Sequence, residues 1–428
     1  MPDTSPPVGA RIALNNSLGT VRYVGPVDGT HGTWLGVEWD DPQRGKHDGC
    51  KDGTRYFRCA TDHPTAASFI RPAVKGLSYG RSFLAALAEK YIDDSPAPSK
   101  EVVTLGSSHG LIQVEAVGLA KVRSNLADLA RLVEVSLDGA HIAWAEQPPQ
   151  VAERCPNIRG LDLSLNLLPS WPALATLTAQ LPHLTRLALN STRLALSPLP
   201  ASPPSPPLPT SFQSLTELQL NATLTPWPSL LTILAFLPSL HTLEAGYNSL
   251  SLPSPLSPSC PAHVHANLAL LNLDTNLLAA LPALSPLFPA LTRLVLASNR
   301  IAAIPPAPSA AELGTLKHLS LSGNPLADWA SVDNLRGWCP ALEGLAIRAI
   351  PLLDGSYTRA FAIAKLPTLT SLDGAPITPK DRLDAELLYL SHITQHVPAP
   401  DRASWGRYAE LVESTSPLPP LFASEPRR

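Results

Sequence analysis

The residues best suited to chemistry lie in one short stretch, Gly45-Lys46-His47-Asp48-Gly49. Two glycines bracket three polar side chains, which permits a tight backbone with exposed amide groups. From Arg44 to Arg58 there are five basic and two acidic residues. Aromatic residues lie close by in the sequence, namely Trp34, Trp39, Tyr56 and Phe57. Cations beside aromatic side chains suit an acidic peptide that ends in an aromatic residue or a carboxylate. The stretch therefore predicts a peptide-binding loop.

Other motifs fit catalysis or metal binding less well. Gly106 to Gly110 matches G-x-S-x-G, but a nucleophile elbow needs a strand before it and a helix after it. Here strand-like sequence stands on both sides, so a β-hairpin turn is favoured over a catalytic Ser108. The five cysteines are far apart without a CxxC pair, and His263 and His265 lack further ligands at metal spacing. We therefore expect no catalytic residue, no metal and no cofactor, with a Ser108 hydrolase kept as an alternative.

The candidate loop needs a scaffold, and residues 8 to 72 supply one. Short alternations of apolar and polar residues, separated by glycine-containing turns, predict several strands. Eleven of the 24 glycines come before residue 81. This composition and length indicate a small all-β barrel with the loop between two of its strands.

This region resembles a complete CAP-Gly domain. The matching segments are Gly19 to Gly25, Trp34 to Trp39, the GKHDG stretch, Gly53 to Cys59 and Ser68 to Pro72. The family's usual loop is GKNDG, so His47 replaces an asparagine, and we expect altered affinity or pH dependence. The resemblance implies binding of acidic tails that end in Glu-Glu-Tyr or Glu-Glu-Phe, as in α-tubulin. It places the peptide site at Gly45, Lys46, His47, Asp48, Gly49, Trp34, Trp39, Phe57 and Arg58. Lys46 and His47 would contact carboxylates, and the two tryptophans and Phe57 would build the groove, with a place in the barrel core as the alternative for Trp39. Tyr56 and Phe69 are expected to be structural.

The rest of the chain is rich in leucine. Of 73 leucines, 64 lie between residues 101 and 400. Nine segments fit L-x-x-L-x-L-x-x-N-x-L at spacings of 23 to 31 residues. They begin at Leu132, Ile158, Leu184, Leu215, Leu240, Leu268, Leu291, Leu316 and Leu342. The pattern predicts one short parallel strand per repeat and short return helices, hence an α/β leucine-rich-repeat solenoid. Five asparagines are expected at turns, where their side-chain amides can bond backbone groups of neighbouring turns: Asn166, Asn248, Asn276, Asn299 and Asn324.

The solenoid should end in a cap. Thr378 to Asp381 reads as a capping box, followed by a helix whose apolar side is Leu383, Leu387, Leu388 and Leu390. We predict four regions: 1–75, the CAP-Gly domain; 76–130, a linker with a short helix and a hairpin; 131–395, the solenoid with its cap; and 396–428, a Pro/Ser-rich tail. Residues 197 to 209 read as an exposed proline-rich insertion.

The strands of a solenoid present a broad face that suits a protein partner. Residues expected there are Glu134, Asp138, Asp162, Arg186, Glu217, Glu244, Asp274, Arg293, His318 and Arg348. Their charges are mixed. The whole chain has a net charge of −3, 16% charged residues and no apolar run long enough to span a membrane. We expect no nucleic-acid or membrane partner.

A CAP-Gly domain followed by leucine-rich repeats resembles the tubulin-folding cofactor E family. That resemblance implies a cytoplasmic and cytoskeletal chaperone that captures α-tubulin and promotes assembly or dissociation of the αβ heterodimer. It also implies cofactors D, C and B as partners. The family usually ends in a ubiquitin-like domain, for which the sequence after residue 396 is too short. Two further alternatives are an adaptor that binds microtubule ends or plus-end proteins, and a nuclear RNA-associated solenoid. An adaptor usually has coiled-coil heptads, which are not found, and an RNA-associated solenoid leaves the barrel unexplained.

Overall fold

The computed structural model describes residues 6–93, 103–107, 110–114, 129–197, 207–251, 265–309, 312–354 and 357–415. The chain divides into two compact units, Met1–Leu240 and His241–Arg428. Predictions for the proline-rich insertion, the last residues of the tail, Ser108 and His263 fall partly or wholly outside the described residues.

The first unit begins with a small barrel of antiparallel strands. They are β1 Arg11–Leu14, β2 Ser17–Gly25, β3 Trp34–Trp39, β4 Cys50–Lys51, β5 Thr54–Arg55, β6 Ala67–Ile70 and β7 Leu77–Ser78. The main sheet has the order β6-β3-β2-β1-β7, and β4 pairs with β5. Asn15 and Asn16 form the two-residue turn between β1 and β2 with positive φ angles of 49° and 65°, which suits a tight hairpin. Alternate residues of β1 to β3 point inward, and their side chains form the barrel core: Ile12, Leu14, Val21, Leu35, Val37 and Trp39.

A connecting segment follows the barrel. It contains β8 Arg81–Ser82, α1 Phe83–Ala88, a π-helical turn Glu89–Asp93, β9 Val103–Ser107 and β10 Gly110–Val114. The last two strands pair antiparallel as a hairpin. This confirms the prediction that strands stand on both sides of the G-x-S-x-G motif, whose Ser108 lies outside the described residues.

The first unit then continues with leucine-rich turns. A 3₁₀ turn, Leu129–Arg131, precedes β11 Glu134–Ser136, β12 Ile142–Trp144, α2 Gln150–Arg154, β13 Gly160–Asp162, α3 Trp171–Thr178, β14 Arg186–Ala188, α4 Leu208–Ser211, β15 Glu217–Gln219 and α5 Trp227–Leu234. Strands β11, β13, β14 and β15 pair in parallel and in that order. The central leucine or valine of each is buried, whereas its neighbours face outward.

The second unit contains further turns of the same kind. Its strands are β16 Thr242–Glu244, β17 Leu270–Asn272, β18 Arg293–Val295, β19 His318–Ser320, β20 Gly344–Ala346, β21 Ser371–Leu372 and β22 Ala375–Pro376. All pair in parallel except β22, which folds back on β21. Its helices are α6 Trp329–Trp338, α7 Thr358–Lys365, α8 Pro379–His396 and α9 Tyr408–Thr415, with 3₁₀ turns at Pro351–Asp354 and Ala399–Ser404. Each of the nine predicted repeats has its strand two residues after the predicted start, and the predicted fold class is confirmed.

Asparagine side chains join neighbouring turns, as predicted. Asn276 accepts hydrogen bonds at Oδ1 from the backbone N–H groups of Asn248 (3.0 Å) and Leu250 (2.9 Å). Its Nδ2 donates to the carbonyls of Ala245 and Leu273, both at 3.0 Å. The residue before it, Thr275, has a φ of 50°. This buried amide therefore bonds to its own turn and to the preceding one. It fixes the turn and satisfies backbone groups that would otherwise be buried without partners.

The C-terminal cap confirms one prediction and corrects another. Thr378 and Asp381 form the predicted capping box at the start of α8. The buried side of α8, however, is Ala385, Tyr389 and Ile393, while Leu383 and Leu387 are 53% and 45% exposed. The prediction is therefore wrong for Leu383, Leu387 and Leu388, which are exposed, whereas Leu390 is partly buried against the core of the cap. Residues four apart share a helix face, and the face that carries Tyr389 packs against Phe361 and Trp405.

Candidate functional site

The GKHDG loop, residues 45–49, lies against strand β6. The backbone N–H groups of Lys46 and His47 donate to the carbonyl of Ala67 at 2.7 and 3.1 Å, and the Ala67 N–H donates to the His47 carbonyl at 2.7 Å. At Gly45, a Cβ atom would overlap the carbonyl oxygens of Thr65 and Ala67. Glycine is therefore needed at position 45 because the backbones approach too closely for any side chain.

The far end of the loop is closed by Asp48 and Gly49. One Asp48 carboxylate oxygen lies 2.8 Å from the Arg55 guanidinium, and the other accepts the Cys50 N–H at 3.2 Å. The hydrogen bond from Arg55 lowers the pKa of Asp48 below its usual value. Gly49 has a φ of 97°, and a Cβ there would overlap the Phe57 carbonyl. Asp48 and Gly49 thus shape the loop, and the carboxylate of Asp48 is already occupied by Arg55.

The His47 ring is fixed by a hydrogen bond within the loop and by packing against Phe69. Its Nδ1 accepts the Gly49 N–H at 3.0 Å, so this nitrogen carries no proton. The ring centroid lies 4.7 Å from that of Phe69. Burial lowers the pKa of His47, although the nearby Asp48 acts in the opposite direction. The ring therefore fixes the loop in its neutral form, a role that an asparagine side-chain oxygen could also perform.

Five rings form an aromatic cluster under the loop: Tyr23, His47, Tyr56, Phe57 and Phe69. Phe69 lies 5.3 Å from Tyr56 and 5.8 Å from Phe57, both edge to face. Phe57 is nearly buried at 8% exposure. Three of the rings, Tyr23, Tyr56 and Phe69, were absent from the predicted site.

A signal for these rings was present in the sequence. Gly36 of β3 pairs with Phe69 of β6. A Cβ at Gly36 would overlap the Phe57 ring and crowd Tyr23. A glycine inside a strand that is otherwise apolar often marks a close approach by another group. Its place among the aromatic residues could have pointed to the cluster.

The two predicted tryptophans occupy different places. Trp39 has no exposed surface, belongs to the barrel core and donates from Nε1 to the Ser68 hydroxyl at 3.1 Å. This position agrees with the barrel-core alternative for Trp39 and not with the groove role. Trp34 is half-buried and donates to the Thr30 hydroxyl at 2.7 Å, with the Arg71 guanidinium 3.8 Å from its ring centroid. Of the two, Trp34 alone offers surface to a ligand.

Lys46 and Arg58 supply the available positive charge. Both side chains are exposed, and neither forms an ion pair or hydrogen bond with any residue that the structure describes. Other cations are engaged, since Arg55 pairs with Asp48 and Arg44 lies 3.5 Å from the Trp39 ring centroid. Free ammonium and guanidinium groups beside a partly buried aromatic cluster can bind carboxylates together with an aromatic side chain.

The barrel is docked on the leucine-rich turns of its own unit. Asp40 lies 2.5 Å from the Arg11 guanidinium and 3.4 Å from that of Arg193. Arg193 also donates to the Asp40 carbonyl at 2.8 Å, and burial lowers its pKa while Asp40 opposes that shift. Ala13 and Leu18 of the barrel pack with Leu167. The barrel and these turns therefore share a polar and an apolar contact.

Part of the predicted linker also takes part in this docking. Strand β8 pairs in parallel with β12, and Arg81 donates to the Ala140 carbonyl at 2.7 Å. The Tyr91 hydroxyl accepts the Ser136 N–H at 3.2 Å. The predicted domain boundaries themselves remain a prediction.

The outward face of the strands carries several of the predicted partner residues. In the first unit, Glu134, Asp162, Arg186 and Glu217 occupy outward positions of β11, β13, β14 and β15. Asp138 of the same unit lies in the turn after β11. In the second unit, Glu244, Arg293 and His318 occupy outward positions, whereas Asp274 and Arg348 follow strands. Among the described residues, no group of histidine, cysteine or carboxylate side chains could hold a metal ion. Within the same residues, no helix combines the length and apolarity that a membrane crossing requires.

Comparison with known proteins gives consistent matches. A family model for the CAP-Gly domain matches residues 8–74. Tubulin-specific chaperone E of Bos taurus is 35% identical over 401 residues, which cover 90% of this chain and 72% of that protein. The Homo sapiens protein of the same name is 33% identical over 400 residues, with 90% and 72% covered. Among solved structures, the Bik1 CAP-Gly domain with an ETF peptide from Bim1 is 37% identical, covers 15% of this chain and 75% of that chain, and has a TM-score of 0.14.

Proposed function

This chain belongs to the tubulin-specific chaperone E family, and we propose that it captures α-tubulin at two places. The barrel binds the acidic C-terminal tail of α-tubulin, and the leucine-rich turns hold the α-tubulin body. The chain then promotes assembly or dissociation of the αβ heterodimer. Its family membership supports the general role of a tubulin-folding chaperone in the cytoplasm and at the cytoskeleton. Cofactors D, C and B are proposed partners on the strength of the family resemblance.

One observation carries the tail assignment. Lys46 and Arg58 are exposed cations without a partner among the described residues, and each is next in sequence to a ring of the partly buried aromatic cluster, His47 and Phe57 respectively. An acidic tail with a terminal tyrosine or phenylalanine presents carboxylates next to an aromatic ring. Charge-assisted hydrogen bonds to Lys46 would be strong because an ionised partner roughly doubles hydrogen-bond strength. The tail's ring would pack edge to face against the cluster.

The docking of the barrel supports capture at two places. The Arg193–Asp40 ion pair ties the barrel to the first leucine-rich turns, and the pairing of β8 with β12 ties the segment that follows the barrel to the same turns. A tail bound to the barrel therefore brings the α-tubulin body to the chain at high effective concentration. Two contacts that are each of modest affinity can then produce a tight complex.

The direct test is the affinity of the chain for a peptide ending in Glu-Glu-Tyr, measured by fluorescence anisotropy. Lys46→Ala should weaken binding about ten- to hundredfold, because a hydrogen-bonded charge pair contributes roughly 1.5–3 kcal/mol. Lys75→Ala is the matched control, since Lys75 is an exposed lysine of the same unit outside the loop. A peptide ending in Gln-Gln-Tyr should bind the wild-type chain weakly and show little effect of Lys46→Ala. Equal affinity of wild type and Lys46→Ala for the acidic peptide would overturn the tail assignment.

A further inference from the structure

A hollow lies on the outward face of the strands in the first unit. It has a volume of about 410 Å³ and is bordered by residues of β11, β13, β14 and β15 together with Tyr91. Its floor lies where the outward positions carry no large side chain, at Gly160 and Ala188. The taller side chains around this floor form the wall. We call it the acidic hollow, with the wall Tyr91, Glu134, Asp162, Arg186, Glu217 and Gln219.

Gly160 keeps the hollow open and sets its charge. Glu134 and Arg186 form an ion pair across Gly160, which lies between them in the strand register. A Cβ at Gly160 would overlap the Glu134 carboxylate. Gly160 therefore allows Arg186, the only guanidinium of the wall, to pair with the Glu134 carboxylate of the same wall.

Two carboxylates remain without a cation. Asp162 accepts the backbone N–H of Ser164 at 2.9 Å, and Glu217 is exposed. Neither forms an ion pair with any residue in the described part of the chain. The wall thus has three carboxylates against one guanidinium. The Tyr91 ring on the rim adds an aromatic surface of the kind on which the aliphatic part of a lysine or arginine side chain packs.

We propose that the acidic hollow binds a basic side chain, an arginine or a lysine, on the body of a protein partner. Charge complementarity selects this occupant, because a carboxylate or phosphate group would meet Asp162 and Glu217 without a free cation. The inference rests on the proposed function for the identity of the partner, α-tubulin. It gives the chain two sites of opposite preference, since the barrel accepts acidic residues and the hollow accepts basic ones.

The test measures the affinity of the full chain for soluble tubulin with four variants. Asp162→Asn combined with Glu217→Gln should weaken binding about tenfold, because it removes both uncompensated charges. Arg186→Ala should tighten binding or leave it unchanged, because it frees the Glu134 carboxylate. Glu153→Gln combined with Glu413→Gln is the matched control, since both residues are exposed carboxylates outside the hollow. The fourth variant is Lys46→Ala.

The outcomes separate this inference from the tail assignment. Affinity for the Glu-Glu-Tyr peptide should be the same for wild type and both hollow variants, which also shows that the barrel is folded. Unchanged tubulin affinity of the Asp162/Glu217 variant, or weaker binding by Arg186→Ala, would overturn the inference. If Lys46→Ala had no effect while the Asp162/Glu217 variant weakened binding, the tail assignment would fall and the hollow would stand. A wild-type chain that bound no tubulin would overturn both.

Discussion

The GKHDG loop and the leucine-rich turns both reverse the chain through positive φ angles, but they stabilise the reversal differently. In the loop, Gly45 and Gly49 are needed because neighbouring backbones leave no room for a Cβ. In the turns, a buried asparagine such as Asn276 bonds to the backbone of its own turn and of the adjacent one. The loop therefore depends on local shape, whereas each turn depends on its neighbour. Damage to the loop should remain local, and damage to a turn should spread along the stack.

The largest expected effect comes from removing an asparagine of the turns. Asn276→Ala leaves buried backbone N–H and carbonyl groups without partners, and should lower the free energy of unfolding by about 3 kcal/mol. Urea unfolding followed by circular dichroism measures this change. Asn157→Ala is the control: Asn157 is an exposed asparagine whose Nδ2 donates to the Ala130 carbonyl at 2.8 Å, and its loss should cost only about 0.5 kcal/mol. The two variants should retain wild-type affinity for the Glu-Glu-Tyr peptide. A stability loss for Asn276→Ala no larger than that of the control would contradict the assigned role of the asparagines.

A smaller effect on stability, but a large one on binding, is expected at Gly49. Gly49→Ala combines an unfavourable φ with overlap against the Phe57 carbonyl, and should cost about 2 kcal/mol and abolish peptide binding. Gly53→Ala is a matched control, because Gly53 has a φ of 83° but nothing within 4 Å of its Cβ position. Its cost should be only the backbone strain, about 1 kcal/mol, with peptide affinity retained. Similar peptide affinities for the two variants would show that crowding at the loop is unimportant.

The smallest effect concerns His47 and pH. Burial lowers the pKa of His47 in the folded barrel, so the unfolded chain takes up the proton more readily. The contribution of the neutral ring to stability is therefore complete above the ordinary imidazole pKa of about 6.5 and decreases as the pH falls below it. Unfolding of wild type and His47→Asn should be compared between pH 7.5 and about 5. At acidic pH, the His47→Asn variant should gain stability relative to wild type. A difference in the free energy of unfolding that does not depend on pH would contradict the role of Nδ1 as an acceptor.

The sequence allowed the repeats and the barrel to be predicted because both are encoded locally. The L-x-x-L-x-L spacing predicts the residue at which each strand begins. Side chains alternate along a strand, so only one register buries both leucines. The GKHDG loop and its cations were found from residue types alone. These are short-range signals that need no knowledge of distant contacts.

The features that could not be predicted depend on residues far apart in the chain. Asp40 and Arg193 meet across 153 positions, which no local pattern records. The packing side of α8 was assigned to its leucines by hydropathy, but Tyr389 packs inward because Phe361 and Trp405 surround it. The acidic hollow depends on Gly160 lying between Glu134 and Arg186, three residues from three different repeats.

The most direct measurement of the central claim is a binding cycle between the full chain and soluble tubulin. Wild type and Lys46→Ala are each titrated with intact tubulin and with tubulin whose C-terminal tails have been removed by proteolysis. Removal of the tails should weaken binding more than Lys46→Ala does, because it also removes the contacts with Arg58 and the aromatic cluster. Lys46→Ala should then have no further effect on tubulin without tails, because its contact is already gone. If the two effects multiplied instead, Lys46 would act somewhere other than on the tail, and the account of the barrel as the tail-binding site would be contradicted.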